Sequence, residues 1–210
     1  MIDIRIFTIP ERLNHAKEMQ KILNVPDKNC IIDYNHDGVI PTAKKAWLIP
    51  TDCDYVMVLN DDLIFCDNFL HICNQIVKSM PDCIISLFPL QFQQREVLSH
   101  VGGIPKNSPY VTTDILSGCG IIMPTRYVKP CIESWREDAI CDDTSIDHWA
   151  KANGITVITT LPSTIQHIGY VSAARPGGNY LKTDFFEQSP KANWKSTYLT
   201  SWTNLMRSAH

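Results

Sequence analysis

Tyr55 to Leu59 is an unbroken apolar run that ends directly in Asn60-Asp61-Asp62. A continuous run of this kind predicts a strand covered on both faces, as at the centre of a parallel sheet. Around it the pattern switches between two periods. Ile2 to Ile9 predicts a first strand, and Pro10-Glu11-Arg12 opens a helix with Leu13, Ala16, Met19, Ile22 and Leu23 on its apolar face. Cys30 to Tyr34 predicts a short second strand, Asn35 to Gly38 a turn, and Pro41 to Leu48 a helix with Ala43, Ala46 and Trp47 inward. Asp67 is the expected N-cap of a further helix, whose Phe69, Ile72, Cys73, Ile76, Val77 and Met80 fall on one stripe. Cys83 to Phe88 predicts the next strand. Strand and helix thus alternate three times before Pro89, which argues for βαβ units and a mostly parallel sheet.

Beyond Pro89 the regularity breaks. Residues 91–110 are polar, with Gly102-Gly103, and predict a long loop or hairpin over the sheet edge. Ser117-Gly118-Cys119-Gly120 leads into a strand over Ile121 to Met123, and Pro124 starts a helix to about Trp135. Asp142-Asp143 open a helix that Gly154 ends, with Asp142 expected to cap it. Ile155 to Thr160 is β-branched and predicts a strand, and Ser163 to Gly169 a short extended piece. The expected organisation is one α/β domain over 1–172, with a mostly parallel central sheet flanked by helices. A C-terminal arm over 173–210 is expected to pack on the body or over the site.

Composition narrows the class. Hydrophobic residues make up 44% and charged residues 20% of the 210, the balance of an ordinary globular protein. A net charge of −3 gives no global attraction to nucleic acid or to an anionic membrane. None of the eight cysteines has C-x-x-C spacing, and most stand in apolar segments, as free thiols of a reducing compartment do. The opening Met1 to Ile6 alternates and carries charge, unlike a signal peptide, and no apolar run approaches the ~20 residues that span a bilayer. The expectation is a cytoplasmic protein without a membrane span.

The candidate chemistry lies where the central strand ends. Ligands of open α/β sheets bind in the crevice at such strand ends. Adjacent carboxylates there repel each other and lose hydration, unless a cation or several donors sit between them. One outcome is a divalent-metal site that holds a phosphate. The other is a helix cap and a turn, which Asp and Asn also favour.

Taken in order, these features resemble a small GT-A-fold glycosyltransferase of the family-2-like kind, over about residues 2–172. The features are the loop after the first strand, Asn60-Asp61-Asp62, the glycine-rich 117–120 segment, Asp142-Asp143 and the lone His167. The resemblance implies a Rossmann-like GT-A domain that moves a sugar from a nucleotide-sugar, of the UDP class, to an acceptor hydroxyl with inversion. Asn60-Asp61-Asp62 stands in the place of the family's D-x-D motif, with Asn where many members carry an acid. It implies Asp62 and His167 as ligands of Mn²⁺ or Mg²⁺, which suit oxygen and imidazole donors. Asp61 would then contact the sugar or ribose, and Asn60 the ribose or the metal through its amide oxygen. Asp143 becomes the general base beside Asp142, at a helix N-terminus whose dipole favours a carboxylate. The donor nucleotide is expected against Thr8, Ile9, Pro10 and Arg12, with Arg12 pairing with phosphate or bracing a carboxylate, Asp33 reading the base, Lys44 or Lys45 reaching the diphosphate and Gly118 under the sugar.

The 162–169 segment further resembles glycosyltransferases carried by bacteriophages, some of which modify hydroxymethylated pyrimidines in DNA. The arm interleaves Arg175, Lys182, Lys191, Lys195 and Arg207 with aromatics, a combination that binds unstacked bases or simply anchors a tail to the core. A DNA acceptor in a phage-infected bacterial cell is therefore one expectation, and a glycan the other. Competing classes are a sugar-nucleotidyltransferase, which wants a glycine-rich loop where Thr8 to Arg12 has no glycine, and a non-catalytic module that holds Ca²⁺ for a glycan.

Overall fold

The computed structural model describes residues 1–89, 110–112, 116–136, 138–139, 141–160 and 163–168. β1 (Ile2–Thr8) leads through a 3-10 turn at Pro10–Arg12 into α1 (Leu13–Leu23), and β2 (Cys30–Ile32) leads into α2 (Val39–Trp47). β3 (Tyr55–Asn60) and the short β4 (Leu63–Phe65) precede α3 (Phe69–Ser79) and β5 (Ile84–Ser86). β6 (Tyr110–Thr112), β7 (Gly120–Pro124), α4 (Thr125–Glu133), α5 (Asp142–Ala152), β8 (Val157–Thr160) and β9 (Ile165–His167) follow.

Seven strands form one sheet in the order β2-β1-β3-β7-β5-β8-β6, and β4 pairs with β9 in a separate ribbon. β2, β1, β3, β5 and β8 run one way, while β7 and β6 run against them. The sheet is thus mostly parallel in strand direction, as the alternation of elements predicts, and it is flanked by helices on both faces.

β3 shows why its sequence is unbroken apolar. Met57 and Leu59 pack with Ala16, Met19 and Leu23 of α1 and with Phe69, Ile72 and Ile76 of α3. Val56 and Val58 point the other way, onto Ala43, Ala46 and Trp47 of α2, Val128 and Ile132 of α4, and Ile146 and Ala150 of α5. With period-two side chains and helices on both sides, every position of the strand must be apolar until it emerges at Asn60.

Local details depart from the sequence expectation. On α1 the buried positions are Ala16, Met19, Gln20 and Leu23, while Ile22 is exposed. Gln20 takes the inward place because its amide donates to the carbonyl of Val25 at 3.3 Å. Asp67 does not cap α3: the N-cap is Asn68, in the left-handed region at φ 58°. Asp142 does not cap α5 either: Cys141 is the N-cap and Asp142 is the first helical residue. The second strand ends at Ile32: Asp33 still donates its N–H to the Thr8 carbonyl at 2.8 Å, but its carboxylate organises the turn that follows. The 91–109 stretch of the expected loop and the whole arm over 173–210 lie outside the described residues. Among the described residues no helix is long and apolar enough to cross a membrane.

One buried charge ties the parallel half together. Arg5, mid-strand in β1, is fully buried, and its guanidinium donates to the carbonyls of Ala46 and Trp47 at 2.8 and 2.6 Å and of Ile49 at 2.6 Å. It also pairs with Asp3 at 2.8 Å. These carbonyls close the C-terminal end of α2, where helix groups lack intrahelical partners and a cation is favoured. Arg5→Met keeps the volume but orphans those carbonyls and Asp3. Urea unfolding should register a loss of about 3 kcal/mol or more. A loss below about 1 kcal/mol would mean that water substitutes for the guanidinium.

Candidate functional site

Because β1 and β3 are parallel and in register, with Phe7 beside Asn60, their C-terminal ends open on the same edge of the sheet. Thr8 and the 3-10 turn at Pro10–Arg12 come from one strand, and Asn60-Asp61-Asp62 from the other. The two carboxylates are both more than nine-tenths buried. Asp61 has both oxygens engaged: Thr8 Oγ1 donates to Oδ2 at 2.6 Å and Arg12 Nη1 to Oδ1 at 3.1 Å. Arg12 Nη1 also donates to Asp62 Oδ2 at 3.0 Å, so one guanidinium nitrogen bridges the pair.

His167 reaches the same carboxylate from a distant part of the chain. β4 begins directly after Asp62 and pairs antiparallel with β9, placing His167 opposite Leu63. The backbone N–H of Ile168 donates to the Asp62 carbonyl at 2.9 Å, and His167 Nε2 stands 3.1 Å from Asp62 Oδ2. Phe88 packs against the imidazole, ring centroids 6.3 Å apart. Asp62 Oδ1 and Asn60 Oδ1 are buried and accept no hydrogen bond.

The two neighbouring carboxyls are driven in opposite directions. Burial pushes Asp61 above the usual carboxylate range, and the charge of Asp62 adds to this against the donors Thr8 and Arg12. Burial pushes Asp62 up as well, but the hydrogen bond and charge of His167, with Arg12, outweigh it and hold Asp62 below that range.

A second acidic pair faces the same edge. β7 runs antiparallel to β3, with Gly120 opposite Leu59, so the residues before β7 lie where β3 ends. Asn60 donates its backbone N–H to the carbonyl of Cys119 at 3.1 Å, and Gly118 donates its own to Asp143 Oδ2 at 3.0 Å. The 117–119 segment therefore links one acidic pair to the other. The Cys119 thiol registers both: burial first, then Asp62, Asp143 and Asp142, keep it protonated far above the ordinary thiol range. Gly118 is crowded: a Cβ there would stand 3.1 Å from Asp143 Oδ2 and 3.2 Å from Asp142 Oδ1, so the carboxylates would have to shift slightly to admit it. Gly120 is tighter, because its Cβ would meet Ile165 Cδ1 of β9 at 2.8 Å.

Asp142 and Asp143 differ in exposure. Asp142 is buried, and its Oδ1 accepts the N–H of Asp143 at 3.0 Å. Burial and the neighbouring Asp143 raise its carboxyl to about 7. Asp143 is half-buried, held between the N–H groups of Gly118 and Thr144, the latter at 2.7 Å.

The remaining expected site residues divide. Asp33 lies beside Thr8, donating its N–H to the Thr8 carbonyl at 2.8 Å, but both its carboxylate oxygens accept backbone N–H groups, of Asp37 and Gly38 at 2.9 Å each. It is buried, which pushes its carboxyl up, yet those two N–H groups and the Thr42 hydroxyl hold it below the usual range. Its visible task is to build the turn before α2. Pro10 is exposed at the start of the 3-10 turn. Lys44 is half-exposed on α2 and is not brought into contact with either acidic pair. Two contributors escape a reading of single residues. One is the carbonyl of Cys119. The other is the β4–β9 ribbon, whose two strands of three residues each carry no period long enough to announce their pairing.

The residues fit a hard divalent cation in the nature of their donors: two buried unpartnered oxygens, a carboxylate and an imidazole. Among the described residues, no three His, Cys, Asp or Glu side chains converge at metal-binding separation. The protein therefore offers an incomplete shell, which a ligand's oxygens would have to finish.

No protein-family model matches the chain, and no curated protein matches it. Among solved structures it is similar to the crystal structure of A197 from STIV, with 11% identity over 82% of this chain and 87% of that one, at a TM-score of 0.48.

Asp142 gives the site a pH signature. Its carboxyl ionises near 7 in the fold and near 4 in the unfolded chain. The folded state thus binds the extra proton. No penalty exists below pH ~4, it grows between pH ~4 and ~7, and it is constant above. Asp142→Asn keeps the acceptor for the Asp143 N–H and removes the penalty. Its stability relative to wild type should rise by on the order of 2 kcal/mol between pH 5 and pH 8 in urea titrations. An unchanged difference would mean that Asp142 ionises as in water.

Proposed function

We propose that this chain is a metal-dependent glycosyltransferase that moves a sugar from a nucleotide-sugar, of the UDP class, to an acceptor hydroxyl with inversion. The observation that carries the reading is the convergence on Asp62. Its Oδ2 meets His167, brought from more than a hundred residues away, at 3.1 Å, while its Oδ1 is buried without a partner. A buried carboxylate oxygen left unsatisfied costs about 1–3 kcal/mol or more, and such a cost is sensible where a ligand supplies the missing partner.

In this reading Asp62 and His167 would hold Mn²⁺ or Mg²⁺, with the Asn60 amide oxygen beside them. The ion, when bound, would neutralise the diphosphate as it departs. Thr8 and the 3-10 turn line the nucleotide side of the crevice, where Arg12 carries the positive charge. Gly118 would lie under the sugar, where the absence of a side chain lets backbone come close; a Cβ there would crowd Asp143, the proposed base. Asp143 accepts the proton of the acceptor hydroxyl; that oxygen bonds to the anomeric carbon, and the bond from that carbon to the diphosphate oxygen breaks. Its fixed orientation, between the N–H groups of Gly118 and Thr144, supports this role. Asp142 behind it is a positioning residue.

A panel of nucleotide-sugars incubated with Mn²⁺ should show slow release of nucleoside diphosphate from one donor, stopped by EDTA. Release unaffected by EDTA would remove the metal from the reading, and no release or thermal shift with any donor would favour a binding module. Asp62→Asn should lower metal-dependent nucleotide affinity at least tenfold in calorimetry, while wild-type affinity would sink its assignment as ligand. Asp143→Asn should leave donor binding within about twofold and reduce transfer by ~10² or more, the scale of a lost general base. Normal turnover would place the base elsewhere.

A further inference from the structure

Where the β5–β8 ladder ends, the next carbonyl of the chain is met by side chains instead of by a strand. Ser86 pairs with Thr159 in the last register, and Leu87, which follows, gives its N–H to the Gly120 carbonyl at 2.9 Å. Leu87 is fully buried, so its own carbonyl needs a partner that the ladder no longer supplies. Three buried hydroxyls take the place: Thr160 Oγ1 donates to it at 3.0 Å, Ser163 Oγ at 3.1 Å and Thr164 Oγ1 at 3.5 Å. A carbonyl has two lone pairs, so this one has more donors than it can serve. Ser163 Oγ has a second acceptor, the carbonyl of Ile165 at the start of β9, at 2.5 Å. One hydroxyl thus sits between the end of β5 and the beginning of β9.

β9 carries His167 to Asp62. Side chains alternate along a strand, so Ile165 and His167 share one face of β9. Ile165 lies where a Cβ on Gly120 would be, and His167 Nε2 stands 3.1 Å from Asp62 Oδ2. The ribbon is separate from the seven-stranded sheet, and a two-stranded ribbon is marginal by itself, so contacts with the body must seat it. The Ser163 hydroxyl and the Ile165 side chain make such contacts at the start of β9. Resting on the transferase reading, we propose that Ser163 is a positioning residue: by holding the start of β9 on the Leu87 carbonyl, it sets the place from which His167 reaches Asp62 and the metal. Pairing with β4 keeps the ribbon formed without that hydroxyl. What Ser163 governs is where the ribbon sits, and so where the imidazole stands.

The test compares Ser163→Ala with Thr160→Val, which removes a donor from the same carbonyl but leaves the start of β9 alone. In ¹H–¹⁵N imidazole spectra of the full chain, with the His167 signal assigned from His167→Gln, Ser163→Ala should shift that signal and leave those of His15 and His36 in place. Thr160→Val should move none of the three. In calorimetry, UDP, GDP, CDP and ADP are titrated singly with and without Mn²⁺. Ser163→Ala should weaken Mn²⁺-dependent nucleotide binding by about tenfold, the scale of a lost support behind a metal ligand, and leave binding without Mn²⁺ within about twofold. Thr160→Val should stay within about threefold of wild type in both. Ser163→Cys, close in shape but a weak donor, repeats the measurements if far-UV circular dichroism shows the alanine variant unfolded. An unmoved His167 signal, wild-type Mn²⁺-dependent affinity in a folded Ser163 variant, or equal losses in the Ser163 and Thr160 variants overturns the role of Ser163 and leaves the transferase reading standing. No Mn²⁺-dependent nucleotide binding by wild type fails the transferase reading, and the metal role of Ser163 with it.

Discussion

Two carboxylates on consecutive residues, both removed from water, are the constraint to which this end of the sheet answers. Burying one unpaired ion costs several kcal/mol even after relaxation, and a neighbouring like charge adds to it. The structure meets that cost from three separate places. Thr8, at the end of β1, donates to Asp61. Arg12, in the turn beyond it, donates to both carboxylates. His167 reaches Asp62 from β9. The result is an unequal pair, with Asp61 pushed up and Asp62 held down, and only Asp62 retains an oxygen without a partner.

The reversed strand is what makes this a two-sided site. Had β7 run parallel to β3, its N-terminal residues would lie at the far edge of the sheet. Antiparallel pairing sets Gly120 against Leu59 and brings Ser117 to Cys119 to the edge where β3 ends. From there the Gly118 N–H reaches Asp143, and the two acidic pairs share one wall. The short β4–β9 ribbon does the equivalent task for His167. Both glycines of the segment follow from this crowding, since neither has room for a methyl group without displacing a carboxylate or Ile165.

Much of this was legible from residue pattern. The unbroken Tyr55 to Leu59 run announced a strand with two covered faces, and the stripe from Phe69 announced α3, because burial acts on every residue of such segments. The acidic strand end, the glycine segment, Asp142-Asp143 and His167 are linked by contacts at one edge of the sheet. What the pattern did not carry was direction and partnership. Nothing in Gly120 to Pro124 distinguishes a parallel from an antiparallel neighbour, since both demand the same apolar residues. Capping failed for a related reason: Asp67 and Asp142 are good caps in isolation, but Asn68 accepts the left-handed conformation at one helix start, and Asp142 is drawn inward at the other. Arg5 reads as a surface charge in an alternating strand, and only the carbonyls at the end of α2 explain its burial.

The free protein carries this site at a cost. Each unsatisfied buried polar atom is worth about 1–3 kcal/mol, so Asn60 Oδ1 and Asp62 Oδ1 together weigh roughly 2–6 kcal/mol. The buried Asp142, ionising near 7, adds a cost that grows from about pH 4 and is complete above neutral pH. Against a typical net stability of about 5–15 kcal/mol these are large sums. A purely structural strand end would shed them, because Asp and Asn at a solvated turn satisfy themselves with water or backbone. A ligand present at a hundred times its dissociation constant returns about 2.7 kcal/mol, the same scale as the deficit. Asn60 Oδ1 and Asp62 Oδ1 are the two oxygens at this strand end that the cation of the proposed function, or a hydrogen-bond donor in its place, would meet.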